Sequence, residues 1–340
     1  MDILSEVLRV IKLEGAIFYN GEYSAPWSFR APPSSVLLPY FAHRGGHVIF
    51  YHLLTEGECV AGLDDGQKVA VSAGEVVIFP HGDAHIMSNG PAANTVDYEG
   101  YLHRILGQGL TSARLGGGGE VTRFVCGYMA CDSQLSGVLL AGLPPILKVP
   151  IRDDAAGQWL ESSIRFSVGE KCADGAGCEI VLSKLSEVLF VEAIRRYLAN
   201  APSEQTGWLA AARDPEIGRT LALLHRNPSE PWTLATLARE VGISRSVLAD
   251  RFRHYMGEPP MSYLTRWRLQ LGARMLKSSS RSVADIAAEV GYESEPAFNR
   301  AFKREFEVPP ARYRNNSRTS AVPESKLAQE PQRYPEEFST

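Results

Sequence analysis

The chain has 340 residues, 44% of them hydrophobic and 22% charged, with a formal net charge of −4. That length exceeds one compact core and predicts more than one domain, and the ordinary apolar and charged shares exclude a disordered or fibrous chain. No apolar run approaches the ~18–20 residues that span a bilayer, so the expected setting is cytoplasmic, with no membrane partner.

In chain order, MDILSEVLRVIKLEG mixes acidic residues with Leu, Val and Ile at helical spacing. This predicts an amphipathic helix rather than an export signal. Residues 1–150 then alternate short β-type runs (VIFYHLL, KVAVSA, EVVIFP, TRFVCGYM) with turn-forming clusters such as TEGE and LDDGQ. Many short strands at close spacing predict a β-barrel or sandwich. The five cysteines, Cys59, Cys126, Cys131, Cys172 and Cys178, contain no C-x-x-C pair. Reduced thiols are expected of a chain without an export signal. Cys126 and Cys131, close together in CGYMAC, are the candidate redox pair, with Cys172 and Cys178 in CADGAGC as another.

From residue 151 the texture is helical. CEIVLSKLSEVLFVEAIRRYLAN carries a wide apolar stripe through Leu182, Leu185, Leu189 and Ile194, suited either to packing on its own domain or to a dimer seam. ANAPSEQTG (199–207) reads as a linker. Residues 213–318 hold more Lys and Arg than Asp and Glu inside an otherwise acidic chain, the footprint of a module that meets phosphate backbones. The segment 316–340 is polar and Pro-containing and is expected to be disordered.

The basic segment contains one device twice: TLATLAREVGISRSVLADRFRHYMG (233–257) and SVADIAAEVGYESEPAFNRAFKR (282–304). In the first copy Thr233 caps a helix with Leu234, Leu237, Ala238 and Val241 inward, Gly242 ends it, and Ser244 caps a second helix with Val247, Leu248 and Phe252 inward. Arg245, Ser246, Ala249, Asp250 and Arg253 are left outward. In the second copy Ser282, Gly291 and Ser294 take the same roles, with Phe298 and Phe302 for the core. Glu295, Asn299, Arg300, Lys303 and Arg304 are left outward, and Pro296 sits in the first turn. Helix, glycine turn and helix is the helix-turn-helix arrangement, whose second helix can lie in a DNA major groove.

Joined by PMSYLTRWRLQLGARMLKS (260–278) and followed by VPPARYR (308–314), the repeat resembles the AraC family of bacterial transcription activators over about residues 215–314. The resemblance implies two units on a linker helix entering successive major grooves of double-stranded DNA. It also implies a homodimer, and RNA polymerase as the partner of an activator. Carried over by position, Arg245, Ser246, Ala249 and Asp250, and Glu295, Pro296, Asn299 and Arg300, face the bases. Many members have Gly where Glu307 stands, which implies mild strain there.

Upstream, GEVVIFPHGDAHIMSN (74–89) fits G-x5-P-x-G-x2-H-x3-N and resembles the second motif of the cupins, small β-barrels that often carry a metal. The partner motif supplies His52 but has Leu54 where a second histidine belongs. His52, Cys59, His81 and His85 are the candidate ligands for zinc or another divalent metal, or else barrel residues bonded to their neighbours. Trp27, Phe29, Tyr40, Phe50, Tyr51 and Phe79 line the barrel or merely pack it. The wider layout looks like the cupin-type sensor domain of an AraC subgroup, which implies a small-molecule, metal or redox effector.

The expectation is a two-domain α+β fold: a cupin-like β-barrel (1–150), a helical linker with dimerisation potential (151–212), an all-α double helix-turn-helix (213–315) and a tail (316–340). The expected function is a sequence-specific transcriptional regulator with a sensor barrel. The competing reading is a metal-dependent cupin enzyme, an oxygenase or isomerase, fused to a DNA-binding module; Leu54 argues against it.

Overall fold

Apolar residues alternate along the N-terminal strands, and a strand turns alternate side chains to opposite faces, so one set is buried together. A computed structural model describes residues 3–11, 13–37, 46–90, 95–97, 110–131, 137, 140, 142–169, 176–200 and 207–319. The strands are β1 (Glu14–Ser24), β2 (Trp27–Ala31), β3 (His47–Glu56), β4 (Glu58–Leu63), β5 (Lys68–Ser72), β6 (Glu75–Phe79), β7 (His85–Asn89), β8 (Thr95–Asp97), β9 (Thr111–Gly116), β10 (Val121–Cys131) and β11 (Leu147–Pro150). They form a six-stranded sheet, β11-β6-β3-β10-β1-β9, and a five-stranded sheet, β5-β4-β7-β2-β8. Even-numbered residues of β3 and β10, among them Phe50, Leu54, Phe124 and Tyr128, join Trp27, Phe29, Phe79 and Met87 in the interior core. Tyr51 has the opposite parity and points out of that core, where its hydroxyl bonds Ser186; Tyr40 lies outside the described residues.

Among the described residues the sheets are accompanied by the helices α1 (Ile3–Ile11), α2 (Ser34–Leu37), α3 (Ala155–Ser167) and α4 (Cys178–Asn200). Asp154 caps α3, its carboxylate accepting from the Gly157 N–H at 2.8 Å. The stripe of α4 is largely taken up by its own domain, since Leu182, Ser186, Leu189, Phe190, Ala193 and Ile194 are buried. Tyr51 Oη donates to Ser186 Oγ at 2.6 Å. Glycine at position 15 allows this approach: a Cβ there would stand 2.6 Å from Ser186 Oγ. The other face of α4 keeps Ile180, Val181 and Val188 exposed.

Cys126 and Cys131 cannot form the expected redox pair. They sit on opposite faces of β10, and five residues of strand span about 16 Å, far beyond the ~7 Å between Cα atoms that a disulfide bridges. Both are buried. The expectation of reduced thiols also changes at Cys178, which is disulfide-bonded; Cys172 lies outside the described residues.

The remaining helices are α5 (Trp208–Arg213), α6 (Pro215–Arg226), α7 (Leu234–Val241), α8 (Arg245–Met256), α9 (Pro260–Ser278), α10 (Val283–Glu289), α11 (Glu295–Phe306) and α12 (Pro310–Thr319). The chain divides into two compact units, Met1–Trp267 and Arg268–Thr340. The division falls inside α9; within the first unit α6 packs against α1 and α5 touches α4. No described helix is long and apolar enough to cross a membrane.

Candidate nucleic-acid interface and barrel interior

Each helix pair is built by caps and a turn. Thr233 Oγ1 accepts from the Thr236 N–H at 3.1 Å and Thr236 Oγ1 from the Thr233 N–H at 2.9 Å, a reciprocal box that starts α7. Gly242 ends it at φ 81°, ψ 24°, a left-handed conformation that a side chain disfavours. Ser244 then caps α8 through the Val247 N–H at 3.2 Å. In the second copy Ser282 caps α10 through Asp285 at 3.0 Å and Ser294 caps α11 through Ala297 at 3.4 Å. Leu248 and Phe252 are buried, as are Phe298 and Phe302. Val247, expected inward, is 43% exposed. It stands about 100° around the helix from Leu248, off the stripe that Leu248 and Phe252 share at i, i+4.

Glu307, which ends α11, has φ 63°, while Gly257 occupies the matching place after α8 with φ 72°. A side chain in this region costs about 1–2 kcal/mol, offset in part by the chain entropy of glycine. Glu307→Gly is therefore expected to stabilise the second unit by roughly 0.5–1 kcal/mol, read as a higher urea midpoint; an unchanged or lower midpoint would contradict the strain.

The outward residues divide as the helical period requires. Arg245, Ser246, Asp250 and Arg253 on α8, and Glu295, Pro296, Arg300, Lys303 and Arg304 on α11, are exposed. Ala249 and Asn299 are half-buried, Asn299 donating to Glu295 Oε1 at 3.4 Å. Among the described residues Arg245, Arg253, Arg300, Lys303 and Arg304 enter no ion pair. Other cations of the helical region are used internally: Arg251 of α8 meets Asp214 and Glu216, Arg266 of α9 meets Glu258, and Arg281, just before α10, meets Glu289. Arg251 and Asp214 went unrecognised in the sequence because nothing local links residues so far apart.

In the barrel, β3 and β10 pair with Cys126 opposite His52, and His85 comes from β7 of the other sheet. Cys126 Sγ lies 2.7 Å from His52 Nδ1, His52 Nε2 lies 2.8 Å from His85 Nε2, and His85 Nδ1 lies 3.0 Å from the Asp83 carbonyl. The protons follow from the end of the chain. A carbonyl only accepts, so His85 Nδ1 carries the proton and its Nε2 must accept from His52 Nε2–H. His52 Nδ1 is then an acceptor, and the Cys126 S–H donates to it. Phe79 stacks on His85 at 3.7 Å between ring centroids. Burial pushes the His85 imidazole down to about 4, against the opposing pull of the Asp83 carbonyl. Burial and then the neighbouring His85 hold His52 well below the usual range. Burial also pushes the Cys126 thiol well up, and the Cys59 thiol up to about 12.

These residues do not fit a cupin metal. All four ring nitrogens are already engaged, and the place of the missing motif histidine is hydrocarbon at Leu54. Among the described residues no group of three or more His, Cys, Asp or Glu converges as an ion site. Of the candidate ligands only His52 and His85 come together. Cys59 is buried in the interior core without completing a set, and His81 is exposed and bonded to the Leu143 carbonyl at 3.1 Å. Cys126, not foreseen as a partner of His52, takes the place beside it. The alternation of TRFVCGYM puts Cys126 on the interior face, but the β3–β10 register that brings it to His52 is a long-range feature.

A β-barrel followed by two capped helix-turn-helix units that leave basic side chains free defines a DNA-binding regulator. Residues 2–199 match a family model described as cupin, and residues 237–316 match one described as a helix-turn-helix domain. The HTH-type transcriptional regulator AlkR of Acinetobacter baylyi is 29% identical over 93% of this chain and 100% of its own. A putative AraC-like transcription regulator of Streptomyces lividans is 30% identical over 93% and 99%. The RCS-specific HTH-type transcriptional activator RclR of Escherichia coli is 28% identical over 94% and 100%. The chain belongs to the AraC family of DNA-binding transcriptional regulators, with an N-terminal cupin domain and a C-terminal AraC-type helix-turn-helix domain. Its relatives are regulators, and it is a regulator rather than a cupin oxygenase or isomerase.

Proposed function

We propose that α8 and α11 read bases in neighbouring major grooves of one duplex, and that the barrel interior adjusts this reading in response to a small molecule or a redox signal. The observation that carries the first part is the sorting of cations: those on the outward faces of the two helices are free for DNA, while Arg251, Arg266 and Arg281 are spent on internal carboxylates. The packing of α1 on α6 supports a route from the N-terminal domain to the first helix pair. The Cys126–His52–His85 chain is the candidate receiver, and its closed set of hydrogen bonds argues against a metal effector. Activation through RNA polymerase follows the description of RclR as an activator. Arg300→Ala is expected to weaken specific binding by about 1–3 kcal/mol, the worth of a bidentate contact to a base. The test is titration of the full chain against a duplex selected from random double-stranded DNA; unchanged affinity removes Arg300 from base readout.

The reading includes a homodimer joined through α3 and α4. Trp159 and Phe166 are 64% and 77% exposed, and with Val181 and Leu185 they line an open apolar groove. Along α4, Val181, Lys184, Val188 and Arg195 recur at the three–four spacing of a helix seam. An antiparallel pairing centred on Val188 would set Lys184 of one copy opposite Glu192 of the other. Val188→Glu is expected to convert the dimer to monomer in sedimentation; an unaffected dimer would place the seam elsewhere.

A further inference from the structure

The first recognition helix has an anchor that the second lacks. Arg251 lies on α8 next to buried Phe252, and its guanidinium meets the carboxylate of Asp214 and, at 3.1 Å, that of Glu216. Asp214 is only 8% exposed. Its Oδ1 caps α6, accepting from the N–H groups of Glu216 at 3.2 Å and Ile217 at 3.0 Å, and its Oδ2 accepts from Arg251. The carbonyl of Tyr255, one turn beyond Arg251, accepts from the Gly207 N–H at 2.8 Å. In the second copy the residue before the equivalent Phe302 is Ala301, which is buried and contributes only an apolar contact.

We infer that Asp214 is a positioning residue for DNA reading: through Arg251 it sets the rotation of α8 about its own axis, and with it the register of Arg245, Ser246 and Arg253 against base edges. This rests on the reading of α8 as a base-reading helix. Leu248 and Phe252 hold α8 against its neighbours, but apolar contact is non-directional and tolerates rotation. Charge-assisted hydrogen bonds are directional, and a guanidinium shared by two carboxylates fixes an azimuth. A rotation of about 20° would move a side-chain tip ~8 Å from the axis by about 3 Å, more than a hydrogen bond survives. Asp214 thus acts on base selection without touching DNA, and it acts on the first unit alone.

The test uses the full chain and a duplex selected from random double-stranded DNA, together with versions in which one half-site is scrambled. Arg245→Ala assigns the half-site read by α8 and Arg300→Ala the one read by α11. Asp214→Asn keeps the cap, because asparagine caps as well as aspartate, and removes the charge; Arg251→Leu replaces the ion pair with hydrocarbon. Both are expected to cut discrimination at the first half-site about tenfold and leave the second unchanged, whereas Arg251→Lys, which keeps the charge but not the planar fork, is expected to retain part of the discrimination. Wild-type discrimination at the first half-site in both variants would overturn the inference. Equal losses at both half-sites would also overturn it, since they report a general weakening of the fold. A wild-type chain indifferent to the first half-site would overturn the reading of α8 itself.

Discussion

Phe298→Ala is expected to destabilise the second compact unit by about 3–5 kcal/mol, the usual cost of emptying a buried aromatic site. Phe298 is fully buried, with Tyr292 and Phe302 each 5.3 Å away between ring centroids, in a core completed by Leu269, Leu276 and Ile286. A small unit has few other apolar groups to compensate, and a whole domain is stable by only about 5–15 kcal/mol. The two units can be followed separately. All five tryptophans lie at or before Trp267, so tryptophan fluorescence reports the first unit while far-UV circular dichroism reports both. In urea the variant should lose part of its helical signal early, with the fluorescence transition in place and site-selective DNA binding gone. A single transition shifted by less than about 1 kcal/mol would contradict the role given to Phe298.

Acidification is expected to weaken the first unit by a comparable amount. An unfolded histidine titrates near 6.5, whereas burial lowers native His85 to about 4 and His52 well below 6.5. Between those values the unfolded chain binds protons that the native barrel excludes, so stability is complete above about pH 6.5 and falls as the pH drops toward 4. At pH 5 His85 alone accounts for about 2 kcal/mol. Burial is the main cause, and the tautomer chain acts in the same direction: a second proton on His85 would face the His52 Nε2–H donor-to-donor. His225, on α6 and buried against Trp267 of α9, is lowered to about 3 by burial and adds in the same direction. Urea midpoints by tryptophan fluorescence at pH 7.5 and 5 measure the effect, and His85→Gln should flatten it. Equal midpoints at the two pH values would show that these histidines are not held neutral.

The parts of this molecule written in short-range chemistry were legible from the sequence. The caps at Thr233, Ser244, Ser282 and Ser294, the turn at Gly242 and the burial of Leu248, Phe252, Phe298 and Phe302 all follow from helical spacing and cap chemistry within a few residues. Val247 was misplaced because neighbouring apolar residues on a helix need not share a face. Contacts set by strand register or by helices distant in sequence were not legible. Cys126 meets His52 across β10 and β3, Ser186 reaches Tyr51 on the outer face of the sheet, and Arg251 of α8 finds Asp214 at the start of α6. The cupin motif located His85 and His52 but suggested a metal set; the tertiary structure supplies instead a thiol and a carbonyl that close the chain.

The central claim is that one chain reads two neighbouring grooves. Hydroxyl-radical footprinting of the full chain on a duplex selected from random DNA tests it most directly. The account predicts, for each copy bound, two protected segments on one face of the helix about 10 base pairs apart, with Arg300→Ala erasing one and Arg245→Ala the other. Protection of a single groove, unaffected by one of these substitutions, would contradict it.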